Sequence, residues 1–364
     1  MTSETKTVPI PHTSGWERIK AWTRRILLSE NFVLYLSIAY FLVLIPFIPR
    51  IASGKNLANV FSNMWPLLIL AIGQTFVLLL AGIDLSQTSI MAMASVIGGI
   101  IMTSQVNPVL FEKSPLWGVL LTEAGGPLGG SPWAAPVGIL AMVLAGSLIG
   151  LLNGISVAKF KMPPFMVTLV SMIFFSGFAI YLTKSENVTH LPDAYIAIGK
   201  GQIGFVPYSF ILAGILALVA HFLLTRTVLG YWFYGVGRNV RTSLVSGIPT
   251  DRVMILAYVF SGFCAALAAV LYSARLEGGR PTLGQNLLLD VIGATVIGGV
   301  SLFGGKGKIQ WALYGVLFYT LLANSLNLLN LSYFTINIVK GGVILLAALL
   351  DVLRTRFLAQ ETSA

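Results

Sequence analysis

The chain has 364 residues, of which 56% are hydrophobic and only 10% charged, with a mean hydropathy of +0.85. A soluble domain carries about 25% charged residues, so this chain cannot cover a water-facing surface and reads as an integral membrane protein. Its formal net charge of +10 is spread in short basic clusters between apolar stretches, the pattern of membrane topology rather than of phosphate tracking; this excludes nucleic acid as a partner and leaves the lipid bilayer.

Residues 1–30 mix Glu4, Glu17 and Glu30 with Lys6, Arg18, Lys20, Arg24 and Arg25 and lack a small-residue cleavage site, so they read as a tail and not as a removable signal. Within them Ser14 and Glu17 stand at capping-box spacing, with Trp16, Ile19 and Trp22 on one face, which predicts a short helix on the membrane surface. From there a spanning helix needs about 20 mostly apolar residues. Ten stretches qualify: 32–49, 60–81, 87–104, 134–157, 164–183, 208–224, 253–273, 288–303, 310–330 and 335–352. No strand series with barrel-like alternation occurs. The expected fold is all-α, a polytopic helical bundle of about ten spans over 31–353, with a cytoplasmic N-terminal tail (1–30) and C-terminal tail (354–364).

With both termini inside, the cytoplasmic segments hold fifteen of the 23 Lys and Arg, among them Lys159, Lys161, Arg226, Arg238, Arg241, Arg252, Lys306 and Lys308. Seven lie outside, including Lys113, Lys184, Arg275 and Arg280, and Lys340 falls within a span. The bias follows the positive-inside rule. The single cysteine, Cys264, lies in an apolar stretch and allows no intrachain disulfide.

Along the spans, "AGIDLSQTSI" (81–90) places Asp84 and Ser86 between two apolar stretches, which predicts a polar turn at the cytoplasmic membrane boundary, the acid capping the next helix. Ionisable groups are otherwise expected only near span ends: His221, Asp290 and Asp351, with Lys340 snorkelling outward. Neutral polarity is richer. Gln74, Asn153, Asn324 and Asn327 are candidates for a translocation path for a hydroxyl-rich solute; the alternative is ordinary hydrogen bonding between helices. "GSLIGLLNG" and "VIGATVIGGV" bring small residues about one turn apart, as close helix packing requires. "VIGG" occurs at both 96–99 and 296–299, but at unequal distances from Asp84 and Asp290, so it does not establish a repeat.

Between the sixth and seventh spans, "VGRNVRTSLVSGIPTDRV" (236–253) has its own helix grammar. Asn239 caps, Val240 and Leu244 pair at i, i+4, Gly247 terminates and Pro249 prevents continuation. Flanked by Arg238, Arg241 and Arg252, it reads as a docking helix on the inner face. "SLFGGKGKI" (301–309) fails as a phosphate loop, because Gly305 stands where the lysine is needed and no soluble strand precedes it. No HExxH, GxSxG or paired Ser and His appears, so an enzyme is not expected, and the chain carries no cofactor, metal or nucleotide site of its own.

These residues also carry a resemblance. "GQTFVLLLAGIDLS" (73–86), "GLLNGISVAKFKMPPFMVTL" (150–169), "GRNVRTSLVSGI" (237–248), "DVIGATVIGGVSLFGGKGKI" (290–309) and "VKGGVILLAALLD" (339–351) resemble, in collinear order over about 60–352, the permease subunits of bacterial ABC importers for ribose and related monosaccharides. The resemblance implies a dimer with a second permease subunit, identical or paralogous, two cytoplasmic ABC ATPase domains that hold ATP and Mg, and a periplasmic sugar-binding protein, all at the inner membrane. It also implies that Arg238, Asn239, Val240, Arg241, Leu244, Ser246 and Gly247 form the ATPase-coupling segment. The chain departs from the family where Gln87, Thr88 and Ser89 replace the usual Val-Gly-Ser. The competing reading is an ion-coupled secondary carrier for a small neutral solute.

Overall fold

Apolar segments in hydrocarbon must satisfy their backbone N–H and C=O groups internally, and the chain does so with helices. The structure, a computed structural model, describes residues 29–204 and 206–362; the surface helix expected around Trp16 and Trp22 lies outside them. The main helices are α1 (Phe32–Leu44), α2 (Gly54–Leu79), α3 (Gln87–Met102), α4 (Ala134–Ala158), α5 (Pro164–Thr183), α6 (Asp193–Lys200), α7 (Tyr208–Arg226), α8 (Val228–Arg238), α9 (Val240–Val245), α10 (Thr250–Arg275), α11 (Leu288–Gly298), α12 (Ile309–Leu328) and α13 (Tyr333–Thr362). Apart from isolated bridges, strand among the described residues is one small hairpin, Gln202–Ile203 with Val206–Pro207.

Among the described residues, six helices are long and apolar enough to cross a membrane: α2, α4, α5, α7, α10 and α12. The other expected spans are shaped differently. α1 stops at Leu44, short of 49, because Pro46 and Pro49 lack the N–H that would continue it. α13 runs on through the segment expected to be a tail. α3 and α11 are halves of broken crossings, and they organise the bundle.

α2 ends at Leu79 on the face of the bundle that also carries Arg238, where the Gly305 N–H donates to the Leu79 carbonyl (2.8 Å). The chain then turns back inward over 80–86 before α3 starts. Gln87 Nε2, in the first turn of α3, donates to the Leu70 carbonyl (3.2 Å). Leu70 is nine residues from the end of α2, so α3 begins about 13 Å inside the Arg238 face. It ends near the opposite face, that of Lys184.

The second broken crossing has the same build in the opposite sense. α10 ends near the Lys184 face, where Gly279 and Val188 exchange two backbone bonds of 2.8 Å. Residues 280–287 then descend along α3: a Cβ on Gly284 would lie 2.9 Å from Met91 Sδ and 3.3 Å from the Thr88 carbonyl. α11 completes the crossing to the Arg238 face, where Gly299 turns at φ 106°. Each unit has its own packing partner as well. α4 packs on α3 and on α10, while α12 packs on α11 and on α2. The α2–α3–α4 and α10–α11–α12 units are therefore inverted repeats, an arrangement that places a site at the middle of the bundle. "VIGG" falls on both half-helices, beginning at the tenth residue of α3 and the ninth of α11.

Close packing fixes the two units. A Cβ on Gly150 of α4 would lie 2.2 Å from the Tyr258 carbonyl oxygen of α10, and one on Gly315 of α12 would lie 1.9 Å from the Ala294 carbonyl oxygen of α11. α2 and α10 form the buried centre, whereas α5 and α7 expose Val170, Ile173, Phe174, Leu218 and Phe222 outward as lipid-facing apolar surface. The turn 299–308 is seated at the foot of both crossings: beside the Gly305–Leu79 bond, Tyr234 of α8 donates its hydroxyl to the Gly307 carbonyl (2.7 Å).

Candidate functional site

The re-entrant stretch 80–86 and the first turn of α11 each bring an acid into the interior. Asp84 is 1% exposed. Its Oδ1 accepts the Ser86 N–H (2.9 Å) and the Ser86 hydroxyl (2.5 Å), and its Oδ2 accepts the Ser261 hydroxyl (2.6 Å). Gln87 Nε2 donates to Ser261 Oγ (2.9 Å), and Asn153 Nδ2 donates to Ser86 Oγ (2.8 Å). The backbone of the stretch is also served. Thr168 Oγ1 donates to the Ile83 carbonyl (3.1 Å). The Gln74 amide donates to the Asp84 carbonyl (3.1 Å) and accepts from the Asp84 N–H (3.3 Å). Non-helical backbone at this depth survives only when every group has such a partner.

This geometry corrects the expected position of Asp84 and Ser86. They do not lie at the membrane boundary: Ser261 is eleven residues into α10, about 16 Å from that helix's start on the Arg238 face. Nor does Asp84 cap the next helix: the N–H it accepts is that of Ser86, the residue before α3, and no side chain caps the helix N-terminus, because 80–86 re-enters the bundle and turns at Ser86. Gln87, where the chain departs from the usual family sequence, is part of the same network.

Asp290, in the first turn of α11, is the second interior acid. Lys340 Nζ lies 3.0 Å from each carboxylate oxygen, and Tyr319 donates its hydroxyl to Oδ1 (2.7 Å). The ammonium also sits 5.2 Å from the Tyr319 ring centroid. Lys340 therefore does not snorkel outward; it reaches a counter-charge on the neighbouring helix. Ionisable groups are thus not confined to span ends, contrary to the sequence expectation. One signal for the pair was present: an acid and a base, each embedded in an apolar stretch where an unpaired charge is too costly to keep.

The amides proposed for a path do not converge. Gln74 and Asn153 are buried and spent on the Asp84 stretch. Asn324 exchanges two 2.9 Å bonds with Asn56, and Asn327 donates to the Ala323 carbonyl (2.7 Å) near the far end of α12. Gln74, Asn153 and Asn324 are used in bonds between segments of the bundle, whereas Asn327 is exposed and bonds only within α12.

On the Arg238 face, α9 forms where its sequence grammar placed it. Asn239 Oδ1 accepts the Thr242 N–H (2.9 Å), Ser246 Oγ donates to the Thr242 carbonyl (2.9 Å), and Gly247 turns at φ 80°. Ser243 is buried beneath, while Val240, Leu244 and Val245 are exposed at 43%, 62% and 89% beside exposed Arg238 and Arg241. The capped helix thus presents three apolar side chains beside two arginines on the Arg238 face.

Comparisons with known proteins agree with this architecture. The family described as the permease component of branched-chain amino acid transport systems matches residues 56–350. The ribose import permease protein RbsC of Haemophilus influenzae is 34% identical, over 83% of this chain and 87% of that protein. The D-allose transport system permease protein AlsC of Escherichia coli K12 is 29% identical, over 88% and 90%. The xylose transport system permease protein XylH of Haemophilus influenzae is 29% identical, over 82% and 89%. No solved structure gives a match.

Proposed function

This chain belongs to the family of transport-system permease components, where its relatives are sugar import permeases, and from that premise we propose that it is the membrane-spanning subunit of an ATP-driven bacterial importer for a monosaccharide or related polyol. The observation that carries the reading is the likeness to a ribose import permease across both broken crossings and α9. In this reading the ten expected spans sit in the cytoplasmic membrane with the Arg238 face inside. Two permease subunits, the same or paralogous, form the path. Two ABC ATPase domains bind ATP and Mg and dock on α9, and a periplasmic binding protein delivers the sugar at the Lys184 face.

The exposed apolar side chains of α9 suit a cleft on an ATPase, and Arg238 and Arg241 suit its acidic rim. In proteoliposomes, the permease with the ATPase, the binding protein and ATP should accumulate sugar, and the permease alone should be inert under a proton or sodium gradient. Gradient-driven uptake by the purified subunit would replace this reading with the ion-coupled carrier. That second reading draws on the interior acids, but Asp290 is neutralised by Lys340, and Asp84 is closed to solvent and held by two hydroxyls and one backbone N–H. Orientation has its own test in a Cys264→Ser background. Pro115→Cys and Ser185→Cys should react with an impermeant thiol reagent added to intact cells, and Thr242→Cys should not; the reverse pattern inverts the topology.

A further inference from the structure

We infer that the descending stretch 280–287 and the Lys340–Asp290 pair form a polar strip that lines the water-filled path and contacts the solute; this rests on the importer reading. The stretch lies about as deep as Thr88, at the start of the half-helix α3, yet Gln285 and Asn286 are exposed. Gln285 and Asn286 form a single 3-10 turn ahead of α11, and exposed side-chain amides at that depth are poorly placed in hydrocarbon, so we assign the surface they form to water. Asn286 Oδ1 accepts the Tyr333 hydroxyl (3.0 Å), which leaves its amide hydrogens to water or solute. Farther up the stretch, Arg280 donates from Nη2 to the Leu276 carbonyl (3.3 Å) and from its backbone N–H to Ser95 Oγ (2.9 Å). Its Nε is buried without a partner among the described residues.

Below the amides, Asp290 and Lys340 keep 15% and 13% of their side chains exposed. An ammonium carries three donors and a carboxylate about four acceptor positions. After their bonds to each other and to Tyr319, both groups therefore retain capacity for hydroxyls. The charges of Asp290 and Lys340 cancel, so this end of the strip offers strong donors and acceptors without a net charge that would select an ion, and the guanidinium of Arg280 lies farther up. This chemistry matches a neutral polyhydroxylated solute. The Asp84 network offers nothing comparable, because its carboxylate is closed to solvent.

The test is cysteine accessibility in the Cys264→Ser permease. Gln285→Cys and Asn286→Cys should react with a small charged thiol reagent at least ~10-fold faster than Leu218→Cys, which is exposed on the lipid-facing side of α7. In the complete transporter, the same modification should abolish uptake of D-ribose, D-allose or D-xylose, whichever is carried. Reaction no faster than at Leu218 would overturn the water-facing assignment, and full uptake after complete modification would overturn the solute contact. The labelling needs neither ATPase nor sugar, so it can fail while the importer reading stands. If no sugar is carried although both positions label, the importer reading fails and the water-lined strip remains. Should either variant not insert, Asp290→Asn paired with Lys340→Gln tests the same strip without a new thiol. That neutral pair should reduce uptake at least ~10-fold with binding-protein-stimulated ATP hydrolysis retained, and unchanged uptake would overturn the role of the pair.

Discussion

The two broken crossings share a topology and differ in what surrounds their acids. Asp84 is sealed: Oδ1 accepts the Ser86 N–H and hydroxyl, Oδ2 accepts the Ser261 hydroxyl, and amides of α2 and α4 hold the Asp84 backbone and the Ser86 hydroxyl. Asp290 is open, with one lysine, one tyrosine and residual exposure. An acid in a low-dielectric interior needs either a full set of donors or a counter-charge, and the repeats have taken one solution each. The sealed side reads as a joint that holds a re-entrant backbone in place. The open side retains polar capacity where something passes.

The comparison can be broken in several ways. Asp84→Ala should have the largest effect, about 3–5 kcal/mol of stability, because it strands several buried donors at once; thermal unfolding of the purified permease reads this. Asp84→Asn should cost less, since an amide oxygen still accepts. A loss from Asp84→Ala no larger than from Asp290→Ala would erase the distinction between sealed and open. Gly150→Ala and Gly315→Ala should each cost about 1–3 kcal/mol, as an added methyl forces apart helices in backbone contact. Near-equal losses at these two positions would support equivalent roles for α4 and α12, and tolerance at only one would break the symmetry.

Exchange of the pair, Asp290→Lys with Lys340→Asp, should recover most of the stability lost in either single variant, because the open side depends on complementarity rather than on a fixed donor set. The same exchange has no counterpart at Asp84, where no cation lies within bonding distance among the described residues. Smallest in stability is Arg241→Glu with Leu244→Glu on α9. Both side chains are exposed, so unfolding should shift by no more than about 0.5 kcal/mol, while coupling to the ATPase is lost. Unchanged ATPase association and uptake would remove α9 as the docking element.

Much of this was legible in the sequence. Apolar length located nearly every helix, and Asn239, Gly247 and Pro249 delimited α9, because caps and turn residues act locally. "GSLIGLLNG" announced a close helix contact, and Gly150 makes one. Two things were not legible. Hydropathy counts apolar residues and does not see a chain that doubles back, so 80–86 and 280–287 read as loops at a boundary when they re-enter the bundle. Asp84 and Asp290 were misplaced for that one reason. Nor does a single sequence disclose which amides meet: Gln74 resembled a path residue and instead holds the Asp84 backbone, while exposed Gln285 and Asn286 sat unremarked in an apparent outer loop.

The turn 299–308 has a mechanical consequence. At its seat, the Gly305 N–H meets the Leu79 carbonyl, and a Cβ on Gly237 would lie 1.8 Å from that same oxygen. Three chain segments therefore touch backbone to backbone, with no rotamers between them to absorb a displacement. A load applied at α9 enters through Arg238 and arrives undamped at the end of α2 and the end of α11 together. This corner behaves as a rigid bracket, and any flexing needed to open one side of the bundle and close the other has to occur higher up, at the breaks 80–86 and 280–287.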